Sequence, residues 1–226
     1  MTHDDVLGQL FPPFVRGVMA PLEHASGSRW PQERAVVGGA ADRRRREFLC
    51  GRACAHAALA ALGRDEGPIG VGARRQPLWP PGVVGSISHA GERVAAVVAD
   101  ASEAWGLGLD VERVDPPLGA DVEALVLSPA ERRAAAGPGP SGRHRSKFAF
   151  SAKESVYKCL FPRTGWRLGF EDVTVELDLE DGTSGAGTFR AVVAPRFRSP
   201  ELDARSLEGR FVVADGYLFT GLALTA

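Results

Sequence analysis

The run Gly106-Leu107-Gly108-Leu109-Asp110-Val111-Glu112 constrains this chain more than any other stretch. Read as a strand, its side chains alternate between faces, so Leu107, Leu109 and Val111 enter a core while Gly108, Asp110 and Glu112 share the opposite face. The two carboxylates then start roughly 6.5–7 Å apart at the backbone, close enough for their oxygens to converge on one cation. Taken alone, the pair reads more readily as two ordinary acids at a solvent-facing strand end. Lys153-Glu154, about forty residues on, tips the reading toward a site.

With 226 residues and a mass of 24.0 kDa, the chain has room for one large domain or two halves of about a hundred residues each. A net charge of −1 offers no bulk attraction to nucleic acid or to a membrane surface. Lysine occurs only at Lys147, Lys153 and Lys158, so three lysines within one short stretch stand out. The three cysteines form no Cys-x-x-Cys pair; Cys50 and Cys54 read as small buried thiols on a helix, and a reducing cytoplasm is the expected compartment. The chain has no run of eighteen apolar residues, and its first residues lack a basic leader pattern.

In chain order, residues 1–41 read as irregular because Pro12, Pro13, Pro21 and Pro31 interrupt any long helix. A helix is expected from Asp42, as N-cap, through Leu62, with Gly63 after its end and Phe48, Ala55, Leu59 and Leu62 forming its buried stripe. Arg43, Arg44, Arg45, Arg46 and Arg52 decorate the rest, either as a solvated basic face or as a phosphate site. Residues 63–81 read as a loop, followed by a hairpin of 83–89 and 93–99 across Ala90-Gly91-Glu92. Ser88 and His89, adjacent in a strand, point to opposite faces and cannot form a nucleophile-base pair. Ser128-Pro129-Ala130-Glu131 fits a helix start with a capping box, and Gly137 to Gly142 reads as a mobile loop. A helix is then expected from Ser146 to Leu160, ended by Pro162. It would bury Ala152, Val156, Cys159 and Leu160, with Glu154, Tyr157 and Lys158 on another face. Glu154 and Lys158 also read as an i, i+4 surface ion pair. Strands are expected at 173–179, 188–194 and 210–224. This order, helix, hairpin, acidic strand, then helix and strands again, suggests two α+β halves, 1–112 and 113–226, with the acids meeting at their seam.

Gly85-Ser86-Ile87-Ser88-His89, the acidic strand and Phe150-Ser151-Ala152-Lys153-Glu154-Ser155-Val156-Tyr157-Lys158, in this order, closely resemble the 4′-phosphopantetheinyl transferase superfamily. Leu168-Gly169-Phe170-Glu171-Asp172, Gly51-Arg52-Ala53-Cys54 and Gln76-Pro77-Leu78-Trp79-Pro80 resemble its surfactin/enterobactin-type branch, as found in actinobacterial siderophore and polyketide systems. The resemblance spans roughly residues 42–175. It implies an α+β fold of two similar halves related by a pseudo-twofold axis, with the active site at the seam. It also implies a cytoplasmic monomer that binds coenzyme A and Mg²⁺ and moves the phosphopantetheine arm onto a serine of an apo acyl or peptidyl carrier protein. Adenosine 3′,5′-bisphosphate would leave. By matching, Asp110, Glu112 and Glu154 would hold the metal, with Glu154 and Lys158 catalytic. Arg44, Arg52, Arg74, Ser88, His89 and Lys153 would contact coenzyme A. Ala90, Leu109 and Gln76 depart from the usual residues without removing a charge the chemistry requires. Helical periodicity sets Arg45, not Arg44, in line with Arg52, which leaves the choice between them open, as it is between Arg74 and Arg75.

The chemistry is intelligible without the family. A diphosphate must be neutralised before an alcohol attacks its phosphorus, and a serine hydroxyl needs a base to take its proton. Two other classes use similar residues: a Mg²⁺-dependent phosphohydrolase with water as nucleophile, and a non-catalytic module that binds coenzyme A or a carrier protein. Given the acidic carrier helix that the resemblance implies, the basic cluster Arg143, His144, Arg145 and Lys147 is expected to guide docking.

Overall fold

The computed structural model describes residues 3–24, 28–64, 67–135, 144–179, 185–197, 199–203 and 206–226. Its first half runs α1 (His3–Leu10), β1 (Arg16–Pro21), α2 (Pro31–Val36), α3 (Asp42–Ala61), β2 (Gly70–Val71), β3 (Pro77–Leu78), β4 (Val83–Ala90) and β5 (Arg93–Asp100). After β6 (Ala104–Arg113) come α4 (Ala120–Val126), α5 (Pro129–Ala135), α6 (Arg145–Thr164), β7 (Val173–Leu179), β8 (Ala186–Val193), α7 (Pro200–Asp203), β9 (Leu207–Ala214) and β10 (Tyr217–Thr225). The strands form an antiparallel sheet in the order β1-β5-β4, a larger one in the order β6-β10-β9-β8-β7, and the small β2-β3 ladder. This is the expected α+β class with two sheet-containing halves.

Side-chain alternation explains how the layers stack. On β5, Val94, Ala96 and Val98 pack with Cys50, Cys54, Ala55, Ala58 and Leu59 of α3. The intervening Ala95, Val97 and Ala99 enter a second core with Leu107, Leu109 and Val111 of β6. Val6, Leu7, Leu10 and Phe11 at the chain's start join this second core, as do Val212 and Phe219, so it binds the two sheets together. Ala152, Val156, Cys159 and Leu160 of α6 bury the stripe expected of them, against Val173, Val175 and Phe189 of the second sheet.

Several expectations change. Residues 1–41 are not irregular: α1 forms ahead of Pro12 and β1 runs from Arg16 to Pro21, because four closely spaced apolar residues suffice once a sheet is there to cover. Two short strands occupy part of the expected 63–81 loop. Ala41, not Asp42, is the N-cap of α3, while Gly63 takes the positive φ of +73° that suits a residue past a helix end. Pro162 does not end α6, which continues to Thr164 and stops at Gly165 with φ +67°. The stretch 210–224 is two strands, because Asp215-Gly216 makes a turn with both φ angles positive. The run at 137–142 lies outside the described residues.

Strand β6 hydrogen-bonds to β10, with Asp110 opposite Thr220, so the acidic strand belongs by pairing to the second sheet. No backbone ladder joins β6 to β4 among the described residues. Instead, Ser86 Oγ accepts from the Leu109 N–H at 3.0 Å and Ser88 Oγ from the Val111 N–H at 3.1 Å. These hydroxyls stitch the seam, giving buried amides the partners that a ladder would have supplied.

Helix α6 lies on β6 where β6 has no side chains. A Cβ placed on Gly108 would come within 1.9 Å of the Ser155 carbonyl oxygen, and one on Gly106 within 2.8 Å of that of Cys159. Gly108→Ala should therefore cost about 1–3 kcal/mol or more, since the obstruction is backbone and cannot rotate away. Gly8→Ala, whose new carbon would meet nothing within 4 Å in α1, should gain about 0.5–1 kcal/mol. Equilibrium urea denaturation of both variants checks the contrast.

Candidate functional site

Asp110 is 3% exposed, yet both of its oxygens are engaged. Lys158 of α6 approaches Oδ1 at 2.6 Å, Ser88 Oγ donates to the same oxygen at 3.0 Å, and Ser151 Oγ donates to Oδ2 at 2.8 Å. Lys158 also donates to Ser88 Oγ at 2.9 Å, leaving one of its three N–H groups for a further acceptor. The side chain of Ser88 thus faces the seam while His89 faces α3, as their adjacency in a strand requires.

Glu112 and Glu154 flank this pair. Burial first, then the charges of Asp110 and Glu154, push the Glu112 carboxyl up to about 7, against the pull of Lys147 and Lys158. The Glu154 carboxyl is likewise raised, by burial first and by Asp110, with Lys158 opposing. The expected surface ion pair between Glu154 and Lys158 does not form among the described residues: the lysine turns inward to Asp110 instead. No three acidic, imidazole or thiol groups among the described residues already converge tightly enough to cage an ion. The donor set nevertheless suits a hard divalent cation. It offers carboxylate oxygens only, and two of the three acids bear the cost of burial and mutual repulsion that a cation would relieve.

The other face of β4 carries a second polar cluster. Arg44 Nη1 lies 3.0 Å from His89 Nε2, and Glu47 lies 3.7 Å from Arg44 and 3.9 Å from His89 Nδ1. A guanidinium only donates, so Nε2 accepts and the ring proton sits on Nδ1. The lowered pKa of His89 agrees: burial disfavours its charged form, Arg44 and Lys158 add to this, and Glu47 and Asp110 oppose it. Between the two arginines that periodicity left open, Arg44 reaches His89. Arg45 turns back to Asp42 at 3.2 Å and to the Ala40 carbonyl at 3.1 Å.

Three expected contacts take other places. Arg52 is 3% exposed, donates to the Gly70 carbonyl at 3.1 Å and lies over the Phe48 ring, with Nε lacking a partner. Burial lowers its pKa to about 10, against the attraction of Glu33, and its contact with Gly70 braces the segment that leads to Arg74. Lys153 is buried and fully used: its three N–H groups meet the Val126 carbonyl at 2.7 Å, Glu131 Oε2 at 2.9 Å and the Phe170 carbonyl at 3.0 Å. Glu131, which forms the expected capping box with Ser128, also accepts from the Val175 N–H at 2.8 Å. Lysine at position 153 therefore ties α4, α5 and α6 together instead of facing a phosphate. Lys147 is buried and turned inward as well, onto the Arg113 and Pro116 carbonyls, so among the described residues it does not extend an exposed basic patch with His144 and Arg145; Arg143 lies outside the described residues.

A cavity of about 550 Å³ opens beside Glu154, lined by Arg74, Tyr157, Arg167, Leu168 and Phe170 among others. Of the two arginines left open in the sequence, Arg74 lines it and Arg75 does not. Sequence reasoning missed Ser151 and Thr220. Ser151 had a signal, since it precedes Ser155 by four residues and Lys158 by seven on one helical face. Thr220 had none until the β6-β10 register placed it opposite Asp110.

Comparison with known proteins adds to this geometry. Residues 32–99 match the family model for the 4′-phosphopantetheinyl transferase N-terminal domain, and residues 106–207 match that for the 4′-phosphopantetheinyl transferase superfamily. The chain is 39% identical over 202 residues to the 4′-phosphopantetheinyl transferase Svp of Streptomyces mobaraensis, covering 87% of this chain and 79% of that protein. It is 36% identical over 197 residues to Npt of Nocardia iowensis, covering 85% and 88% of the two. To enterobactin synthase component D of Escherichia coli (strain K12) it is 35% identical over 130 residues, covering 57% and 61%.

The new place of Lys153 is directly testable. Lys153→Met should cost about 3–5 kcal/mol in chemical denaturation, because the Glu131 carboxylate stays buried without its counterion. A loss under about 1 kcal/mol would mean that the pair does not hold these helices.

Proposed function

Because the chain belongs to the 4′-phosphopantetheinyl transferase superfamily, whose members use coenzyme A, we propose that it moves the phosphopantetheine arm of coenzyme A onto a serine of an apo acyl or peptidyl carrier protein. Adenosine 3′,5′-bisphosphate leaves. The observation that carries the reading is the buried Asp110–Lys158 pair at the seam, flanked by two carboxyls with raised pKa and by the Arg44–His89 pair.

Each group has a task set by its surroundings. Arg44, with His89 as a neutral Nδ1–H donor, takes the 3′-phosphate through charge-assisted hydrogen bonds. Lys158 directs its remaining N–H to the diphosphate while Asp110 and Ser88 hold its other two. The pantetheine arm, being attached to that diphosphate, extends along the cavity beside Glu154, with Arg74 at its wall. Asp110, Glu112 and Glu154 would hold Mg²⁺, which would supply Lewis-acid neutralisation of the diphosphate. Glu154 accepts the proton of the carrier serine as its oxygen bonds to the phosphorus bearing the pantetheine and the bond to the leaving phosphate breaks. The residues named here all come from one chain, which supports reading the enzyme as a monomer, and its three free cysteines fit a reducing cytoplasm. The likeness to enterobactin synthase component D makes siderophore carriers natural members of a test panel, beside polyketide and other nonribosomal peptide carriers.

Two predictions follow from these roles. Arg44→Ala should raise the KM for coenzyme A much more than that for 3′-dephospho-coenzyme A, while Arg45→Ala should change neither appreciably. Equal effects of Arg44→Ala on both substrates would remove the 3′-phosphate role. In incubations with coenzyme A, Mg²⁺ and apo carrier proteins, followed by the mass of the transferred arm, Glu154→Gln should lower transfer by at least about 10²-fold with its melting temperature little changed. Release of phosphopantetheine without any carrier would instead point to a phosphohydrolase.

A further inference from the structure

Behind Asp110 stand two hydroxyls that the roles above leave unused. Ser151 on α6 is 0% exposed and Thr220 on β10 is 1% exposed. Thr220 is the cross-strand partner of Asp110, and its Oγ1 lies 2.9 Å from Ser151 Oγ and 3.0 Å from the Ser151 carbonyl oxygen. Ser151 Oγ in turn lies 2.8 Å from Asp110 Oδ2. Proton counting gives this chain one direction. A carboxylate only accepts, so the single hydroxyl proton of Ser151 goes to Asp110, and that of Thr220 goes to Ser151 Oγ or to the Ser151 carbonyl. On the other oxygen, Ser88 gives its proton to Oδ1 while accepting from the Val111 N–H and from Lys158.

A buried serine on a helix commonly satisfies itself on a carbonyl of the preceding turn, as Ser155 does with the Ala152 carbonyl at 2.7 Å. Ser151 bonds across the fold instead, to an acid 41 residues away. With Oδ2 tethered from behind and Oδ1 held from β4, the Asp110 carboxylate cannot turn about its terminal bond without breaking a buried hydrogen bond.

We propose that Ser151 and Thr220 are positioning residues for the transfer reaction: they fix the Asp110 carboxylate in its orientation toward Lys158, the orientation in which it would ligate the divalent cation. This rests on the reading of Asp110 as a metal ligand. The partners of a ligating carboxylate set its orientation and basicity, and their loss commonly costs 10–100-fold in metal affinity or activity.

The test measures Mn²⁺ binding to the full-length protein by the electron paramagnetic resonance signal of free Mn²⁺, together with kcat, KM for coenzyme A and melting temperature. Ser151→Ala and the isosteric Thr220→Val should each weaken Mn²⁺ binding and lower kcat, by about tenfold or more for Ser151→Ala. The KM for coenzyme A should change little, and Thr220→Ser should behave as wild type. If Ser151→Ala does not fold, Thr220→Val, which keeps its volume, decides the matter. Unchanged Mn²⁺ binding and kcat, with only a lower melting temperature, would show that the hydroxyls merely complete the core and would overturn the proposal. Asp110→Asn separates the two layers. If it abolishes Mn²⁺ binding while the hydroxyl variants do not, positioning fails and the ligand reading stands; if it leaves Mn²⁺ binding intact, the ligand reading falls and this inference falls with it.

Discussion

The structure depends on a backbone-to-backbone contact: α6 rests on β6 at Gly106 and Gly108, where no side chain separates helix from strand. This close approach decides what Asp110 meets, two residues further along. Ser155 sits over Gly108, and the residues four before and three after it, Ser151 and Lys158, therefore descend on either side of the Asp110 carboxylate. Had β6 carried an alanine there, the helix would stand off and neither short hydrogen bond to Asp110 would close. Packing at glycine and electrostatics at aspartate are thus one arrangement.

The seam adds a second constraint. Strands β4 and β6 run side by side without a backbone ladder, joined through Ser86 and Ser88. A side chain can end in a hydroxyl that serves two masters, and Ser88 does so, holding the Val111 amide and Asp110 at once. The seam therefore buries charge that a closed sheet would exclude. The electrostatics around it differ from group to group: burial disfavours the charged form of His89, while burial and neighbouring acids hold Glu112 and Glu154 above the usual carboxylate range. The apolar core running from α1 through β5 to β6 and β10 keeps the two sheets together around this strained distribution of charge.

Arg52 and Lys153 show where residue type misleads. Both are long cations within the very segments that resemble a phosphate-handling family, and both fold inward. Lys153 does so at little polar cost because three acceptors saturate its ammonium, whereas Arg52 keeps one nitrogen orphaned and has its charged form disfavoured by burial. Two lysines five residues apart, Lys153 and Lys158, differ entirely in what surrounds them. The difference lies in the elements packed against α6: α4, α5 and the turn before β7 on one side, β4 and β6 on the other.

Local patterns were legible without the fold. The β4-β5 hairpin, the capping box of Ser128 and Glu131, the buried stripe of α6 and the two faces of β6 follow from backbone geometry repeating every few residues. The Asp215-Gly216 turn is legible too, as a dipeptide suited to positive φ, though the apolar residues on either side of it merge into one longer run. The candidate site was legible only as an inventory of acids, lysines and arginines. Whether Arg44 or Arg45 meets His89, which lysine faces Asp110, and that Thr220 lies opposite Asp110 depend on strand register and on how closely a helix approaches a sheet. Those quantities come from contacts between residues far apart in sequence, on which the period of a single helix or strand carries no information, and only the assembled tertiary structure decides them.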